Sequence, residues 1–256
     1  MMKLCCLSTS YAQTFRAGEM DLPKFIDTAR ALSLDGVDLH HRSFASEDDS
    51  YLREIKMQCL RLGLTICCVN VYNDFGKPEA ELDAQRELVR SWTDHAAFFG
   101  APILRVFAGW TPQGDEESAA WARMIRCMKE AVAYGEKRGI VMALQNHNHV
   151  GLTKVGADVL RIFDEVNHPY LSHVLDTGQY ADLYPSLEQT AHLAVHVRAK
   201  IYEIETGEEK RLNYTKIFPI LNRVNYNGYV SVVFEGKEDP REAIPKAVRY
   251  LRRFMG

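Results

Sequence analysis

Four stretches of the chain end an apolar run on residues that can move protons or hold ions. They are Leu144-Gln145-Asn146-His147-Asn148-His149, Leu175-Asp176-Thr177-Gly178-Gln179-Tyr180, His196-Val197-Arg198-Ala199-Lys200 and Phe234-Glu235-Gly236-Lys237. Residues two apart on a strand share a face, so Gln145 goes with His147, and His196, Arg198 and Lys200 point one way. Asp176 and Glu235 each follow an apolar run directly. A carboxylate buried there without a partner costs several kcal/mol, the scale of a whole domain's net stability, so it persists when paired, metal-bound or functional. Carboxylates, imidazoles and cations gathered in one cavity suit general acid–base chemistry, with a cation placed to offset developing negative charge. On this reading Glu235, His147, Lys200 and Arg198 carry the chemistry. Asn70, Trp110, His149 and Gln179 contact the substrate, and Tyr72, Phe107 and Tyr180 offer further aromatic faces. His40, His41, His95, His173 and His192 read as structural or solvated. The charged runs 114–117 and 208–211 read as solvated.

The elements that must position these groups follow from the hydrophobic pattern. Near-continuous apolar runs predict strands at 3–8, 37–40, 64–70, 103–108, 140–145, 171–176, 194–199 and 230–235, as expected for parallel strands covered on both faces. Helical stripes lie between them: Phe25, Ile26, Ala29 and Leu32; Leu52, Ile55, Cys59 and Leu62; Leu82 to Phe99; Trp121 to Val132; Ile244 to Leu251. Asp21 and Asn213 offer helix caps. Gly36, Gly63, Gly100, Gly139, Asn167-His168-Pro169 and Asn227-Gly228 mark helix ends. Eight strand-helix units predict a (β/α)8 barrel forming one domain over 1–256. The long strand-to-helix links 72–79, 109–117 and 201–212 would then gather at one mouth, where barrel active sites lie. A doubly wound open sheet is the alternative. The missing GxGxxG after the first strand weakens it and argues against a nucleotide cofactor.

Composition excludes other classes. The chain has 256 residues, 46% of them apolar, and a net charge of -3, which opposes nucleic-acid binding. Its six cysteines include the adjacent pairs Cys5-Cys6 and Cys67-Cys68, read as buried small hydrophobes, and no CxxC spacing marks structural zinc. A reduced, cytoplasmic protein is expected, with no membrane span and possible self-association.

Ala143-Leu-Gln-Asn-His147, Leu175-Asp-Thr-Gly178, His196-Val-Arg-Ala-Lys200 and Glu235-Gly236 give the chain a resemblance to the xylose-isomerase-like TIM barrels. These are sugar and sugar-phosphate isomerases and epimerases, together with apurinic endonucleases. The resemblance implies a small sugar-like substrate and a divalent metal (Mn, Mg or Zn) held by a Glu after strand five, an Asp after strand six, a His on strand seven and a Glu after strand eight. Asp176 and Glu235 match that pattern. Gln145 stands in place of the first Glu, and Arg198 in place of the His. Gln can ligate through its carbonyl but cannot serve as a carboxylate base, and Arg has no lone pair to offer. Asp176, Glu235 and Gln145 are therefore the candidate ligands, and a metal-free site with Arg198 in the cation's place is the competing expectation. Isomerisation or epimerisation is the first reading, by abstraction of a proton next to a carbonyl with Arg198 or Lys200 stabilising the enediolate oxygen. Elimination on an oxidised sugar and a non-catalytic sugar-binding barrel stand beside it. Endonuclease chemistry needs more histidines than the strand ends supply.

Overall fold

Parallel strands buried on both faces alternate here with helices that bury one stripe each, as the sequence pattern requires. The computed structural model describes residues 1–147 and 151–255. The strands are β1 (Lys3–Leu7), β2 (Gly36–His40), β3 (Thr65–Asn70), β4 (Ile103–Phe107), β5 (Val141–Gln145), β6 (Leu171–Asp176), β7 (Ala194–Ile201) and β8 (Tyr229–Phe234). They close in the order β1 to β8 as a (β/α)8 barrel. The helices are α1 (Ala12–Arg16), α2 (Leu22–Ala31), α3 (Asp49–Leu62), α4 (Glu79–Phe99), α5 (Glu117–Arg138), α6 (Gly156–Val166), α7 (Tyr184–Thr190), α8 (Tyr214–Arg223) and α9 (Pro240–Arg252). Each expected strand lies within one or two residues of its place, since a short apolar run leaves little freedom in register.

The chain divides into two compact units. In the unit of Met1–Cys68 and His196–Gly256, β1 pairs with both β2 and β8, and β7 pairs with β8, all parallel. In the unit Val69–Val195, β4 pairs with the end of β3 and with β5, and β5 pairs with β6.

Local chemistry sets the boundaries. The Asp21 carboxylate accepts from the Lys24 amide at 2.8 Å, and Asn213 Oδ1 accepts from the Thr215 amide at 3.0 Å, so both expected caps form. Gly63, Gly100 and Gly139 end α3, α4 and α5 in the left-handed conformation. Gly36 has a different role. The turn after α2 is taken by Ser33 (φ 54°), while Gly36 lies inside β2, where a Cβ would stand 2.5 Å from the Thr65 carbonyl. No helix among the described residues is long and apolar enough to cross a membrane.

Candidate functional site

Within Val69–Val195, the C-terminal ends of β3 to β6 carry a polar and aromatic cluster. Gln145 and Asp176 are both buried, and Gln145 Nε2 donates to Asp176 Oδ2 at 2.8 Å. Only the amide nitrogen can face a carboxylate oxygen, which fixes the orientation of Gln145. Asp176 Oδ1 accepts from the Gly178 amide at 3.1 Å. Next door, Asn146 clips onto the Asp176 backbone: Nδ2 donates to the carbonyl at 3.0 Å and Oδ1 accepts from the amide at 2.8 Å. Gln179 is buried, and its carbonyl oxygen has no hydrogen-bond partner among the described residues. An unmet acceptor of this kind is what a ligand hydroxyl would satisfy.

Aromatic rings flank this amide–carboxylate pair in the same unit. Tyr72 stacks on Trp110 with centroids 5.7 Å apart. Phe107 and Trp110 meet the His147 ring edge-on at 5.3 and 5.5 Å. The Arg105 guanidinium lies 4.0 Å from the Phe107 centroid, and Arg105 Nη1 donates to the Val71 carbonyl at 2.6 Å. The loops bearing these rings are braced by side chains that sequence reading missed. Asn73 exchanges two hydrogen bonds of 2.8 Å with the backbone of Phe107. Asp74 Oδ1 accepts from the amides of Gly76 and Trp110, each at 3.0 Å. A Cβ at Gly76 would lie 1.9 Å from the Trp110 carbonyl, so only glycine lets these loops meet.

In the unit of Met1–Cys68 and His196–Gly256, the interior face of β7 carries His196, Arg198 and Lys200, all buried. The Lys200 ammonium, 4% exposed, pairs with Glu235, which is 48% exposed. The Glu235 amide donates to the Ile201 carbonyl at 2.9 Å. Ser10 Oγ accepts from the Phe234 amide at 3.1 Å and donates to the Val232 carbonyl at 3.0 Å, which fixes the end of β8. Tyr214 donates its hydroxyl to the Lys200 carbonyl at 2.7 Å.

Below Lys200 on the same face, His196 Nε2 bonds Asp38 Oδ2 at 2.8 Å, with both side chains fully buried. Burial alone would push the Asp38 carboxyl up, but the His196 imidazolium and the Arg198 guanidinium outweigh it and hold Asp38 below its ordinary value. Burial favours a neutral His196, and the Asp38 charge and hydrogen bond overcome this to raise the ring to about 10.

The expected site residues thus fall into two groups. Gln145, Asp176, Gln179, Asn70, Trp110 and His147 lie in one unit; Arg198, Lys200 and Glu235 lie in the other. Asn70 is buried at the end of β3. His149 lies outside the described residues. Tyr180 is buried with its hydroxyl 3.2 Å from His173 Nε2 and 2.9 Å from Thr190 Oγ1, so it braces the interior of its unit and presents no open face for a sugar. Glu209 corrects the reading of 208–211 as solvated. It is buried, and its carboxylate accepts from the amides of Tyr202, Glu203, Arg211 and Leu212 at 2.7 to 3.2 Å. Asp38 stands as a charge inside the apolar run Val37-Asp38-Leu39, where an argument from strand ends does not reach it.

The implied metal positions fall in different units, and within each unit the residues present do not fit a divalent cation. Gln145 turns its amide N–H toward Asp176, Arg198 offers a fixed positive charge, and Lys200 already sits on Glu235. Cationic and N–H donors stand where a metal would need lone pairs.

The folds of solved proteins agree with this architecture. The chain is similar to D-psicose 3-epimerase with D-tagatose from Clostridium cellulolyticum H10, at 16% identity and a TM-score of 0.81, covering 99% of each chain. It is similar to 3-keto-D-glucoside 4-epimerase from E. coli, at 17% identity and 0.80, covering 99% of this chain and 100% of that one. A probable 3-DHS dehydratase from Bacillus anthracis matches at 19% identity and 0.77, covering 98% and 99%. At these identities the likeness is one of fold. The family described as xylose isomerase-like TIM barrel matches residues 26–254, nearly the whole chain, and the chain belongs to that family.

Proposed function

We propose that this chain is a sugar or keto-sugar isomerase or epimerase that abstracts a proton from the carbon beside a carbonyl. The observation that carries the reading is the Lys200–Glu235 pair at the C-terminal ends of β7 and β8, a buried ammonium beside a half-exposed carboxylate. Barrel enzymes place their chemistry at these strand ends. Glu235 takes the proton, and Lys200, with Arg198, stabilises the oxygen that becomes an enediolate. Within Val69–Val195, the unmet Gln179 acceptor and the Tyr72–Trp110 stack are the features that suit a hydroxyl and the C–H side of a sugar ring.

Elimination on an oxidised sugar begins with the same proton abstraction and differs in the leaving hydroxyl. A panel of ketoses and 3-keto-sugars assayed in deuterium oxide tests the reading. Exchange of one carbon-bound hydrogen, lost in Glu235→Gln, is expected. Exchange that persists undiminished in Glu235→Gln overturns the assignment of the base. Binding of a sugar by the wild-type protein without any exchange favours a barrel that only binds its ligand.

A further inference from the structure

Two cysteines from different adjacent pairs come together in the barrel interior. Cys5, Asp38, Cys67 and His196 are each the third residue of their strand, on β1, β2, β3 and β7. All four are buried with at most 1% exposure. Strand alternation sends Cys5 and Cys67 inward while their neighbours Cys6 and Cys68 face the other way. Cys67 Sγ lies 3.2 Å from Asp38 Oδ1 and Cys5 Sγ lies 3.9 Å from the same oxygen. His196 Nε2 stands 2.8 Å from Asp38 Oδ2. One ligand atom from each of Cys5, Asp38 and Cys67 falls within 4.8 Å of the others.

We propose that Cys5, Cys67, Asp38 and His196 form a structural site for a zinc-like divalent ion. Zinc takes four ligands of this kind, with Zn–S about 2.3 Å and Zn–N or Zn–O about 2.0–2.2 Å. Ligand atoms around a tetrahedral ion then stand about 3.3–3.8 Å apart, against 3.2 and 3.9 Å from Asp38 Oδ1 to the two sulfurs; His196 faces the other carboxylate oxygen and has to turn toward the ion to complete the set. The charges also balance. Two thiolates, one carboxylate and a neutral imidazole around a dication leave one net negative charge. The Arg198 guanidinium, which already acts on Asp38, offsets it. His196 Nδ1 is buried without a hydrogen-bond partner among the described residues and keeps the ring proton when Nε2 ligates. The donor set is sulfur-rich and closed to solvent, unlike the oxygen-rich positions of Asp176 and Glu235. The site lies deeper on β7 than Lys200, so it serves stability and leaves the chemistry at the strand ends alone.

Cobalt(II) reports this site directly. The full chain is unfolded in guanidinium with reductant and chelator, then refolded with cobalt(II) in place of the chelator. One equivalent per chain is expected, with a thiolate-to-cobalt charge-transfer band and the strong visible bands of tetrahedral cobalt. Cys5→Ser and Cys67→Ser should each weaken the charge-transfer band. A chain in which Cys6, Cys59, Cys68 and Cys127 are all changed to Ser should keep it, and this variant decides the matter if the first two do not fold. Refolded wild-type protein without a thiolate band overturns the proposal, including the case of cobalt bound only through oxygen and nitrogen. So does loss of the band in the folded four-serine variant.

Discussion

Gln145 donates to Asp176 across β5 and β6 at 2.8 Å, so an amide occupies the place from which a carboxylate would face that aspartate. The pair holds a single negative charge. Converting Gln145 to Glu replaces a hydrogen bond with a like-charge contact inside a buried pocket. We expect Gln145→Glu to cost about 1–3 kcal/mol at neutral pH. The new carboxyl would have a raised folded-state pKa. Its penalty is therefore absent at low pH, and stability falls as pH rises through the ordinary carboxylate value of about 4.3 toward the raised one. Chemical denaturation at several pH values checks this.

Lys200 and Glu235 predict a separation of stability from activity. Glu235 is half-exposed, so the pair contributes little to folding after solvent screening. Glu235→Gln should leave the melting temperature within a few degrees of wild type and lower turnover of any substrate found by about 10²–10⁴-fold. Calorimetry beside a steady-state assay reads both.

The Asp38–His196 pair predicts the opposite. Both partners are fully buried, and Asp38→Asn or His196→Leu leaves a charge without its counterpart, at a cost of about 3–5 kcal/mol. In chelator-treated protein its pH dependence has a definite sign. The His196 contribution is complete below the ordinary value of 6.5 and is lost as pH rises through about 10. The Asp38 contribution is complete above 3.8 and is lost as pH falls through its lowered value. Urea unfolding from pH 4 to pH 10 should place the greatest benefit of the pair, wild type minus Asp38→Asn, between those two ordinary values.

His173 acts on the acid side. Burial lowers its pKa to about 4, against the opposing hydrogen bond to the Leu144 carbonyl at 2.6 Å. The folded state takes up a proton less readily than the unfolded chain. Stability is therefore lost as pH falls from 6.5 and the loss is complete near 4, on the order of 3 kcal/mol. His173→Gln should flatten this acid limb even if it lowers stability at neutral pH.

The strands were legible because burial on both faces leaves an uninterrupted apolar run, which Ile103–Phe107 and Leu171–Asp176 display. The strand-end residues were legible for the complementary reason, since a charge that closes such a run stands out. Asp38 obeys the same rule from inside its strand, yet only the fold reveals that His196, 158 positions away, answers it. Cys5 and Cys67 read as small hydrophobes because their burial is visible in sequence and their proximity is not. Glu209 was hidden most completely. A carboxylate in a Glu-Glu-Lys-Arg run looks solvated until the loop folds around it, and nothing in the order of residues signals that curl.

Glu209 sets how the segment after β7 tolerates change. Its four amide contacts flank a tip made by the Ile204–Gly207 turn, where the Gly207 amide donates to the Ile204 carbonyl at 2.8 Å and Gly207 takes φ 88°. Both arms of the loop are anchored on one side chain, and the tip is held as well: the Ile204 amide donates to Glu238 at 2.8 Å, Lys246 Nζ donates to the Glu205 carbonyl at 3.2 Å, and Arg253 pairs with Glu208 at 3.1 Å. The segment is cinched from within and pinned from without. An insertion between Gly207 and Glu208 should therefore lower the melting temperature, and the same insertion one residue past Glu209 should lower it further.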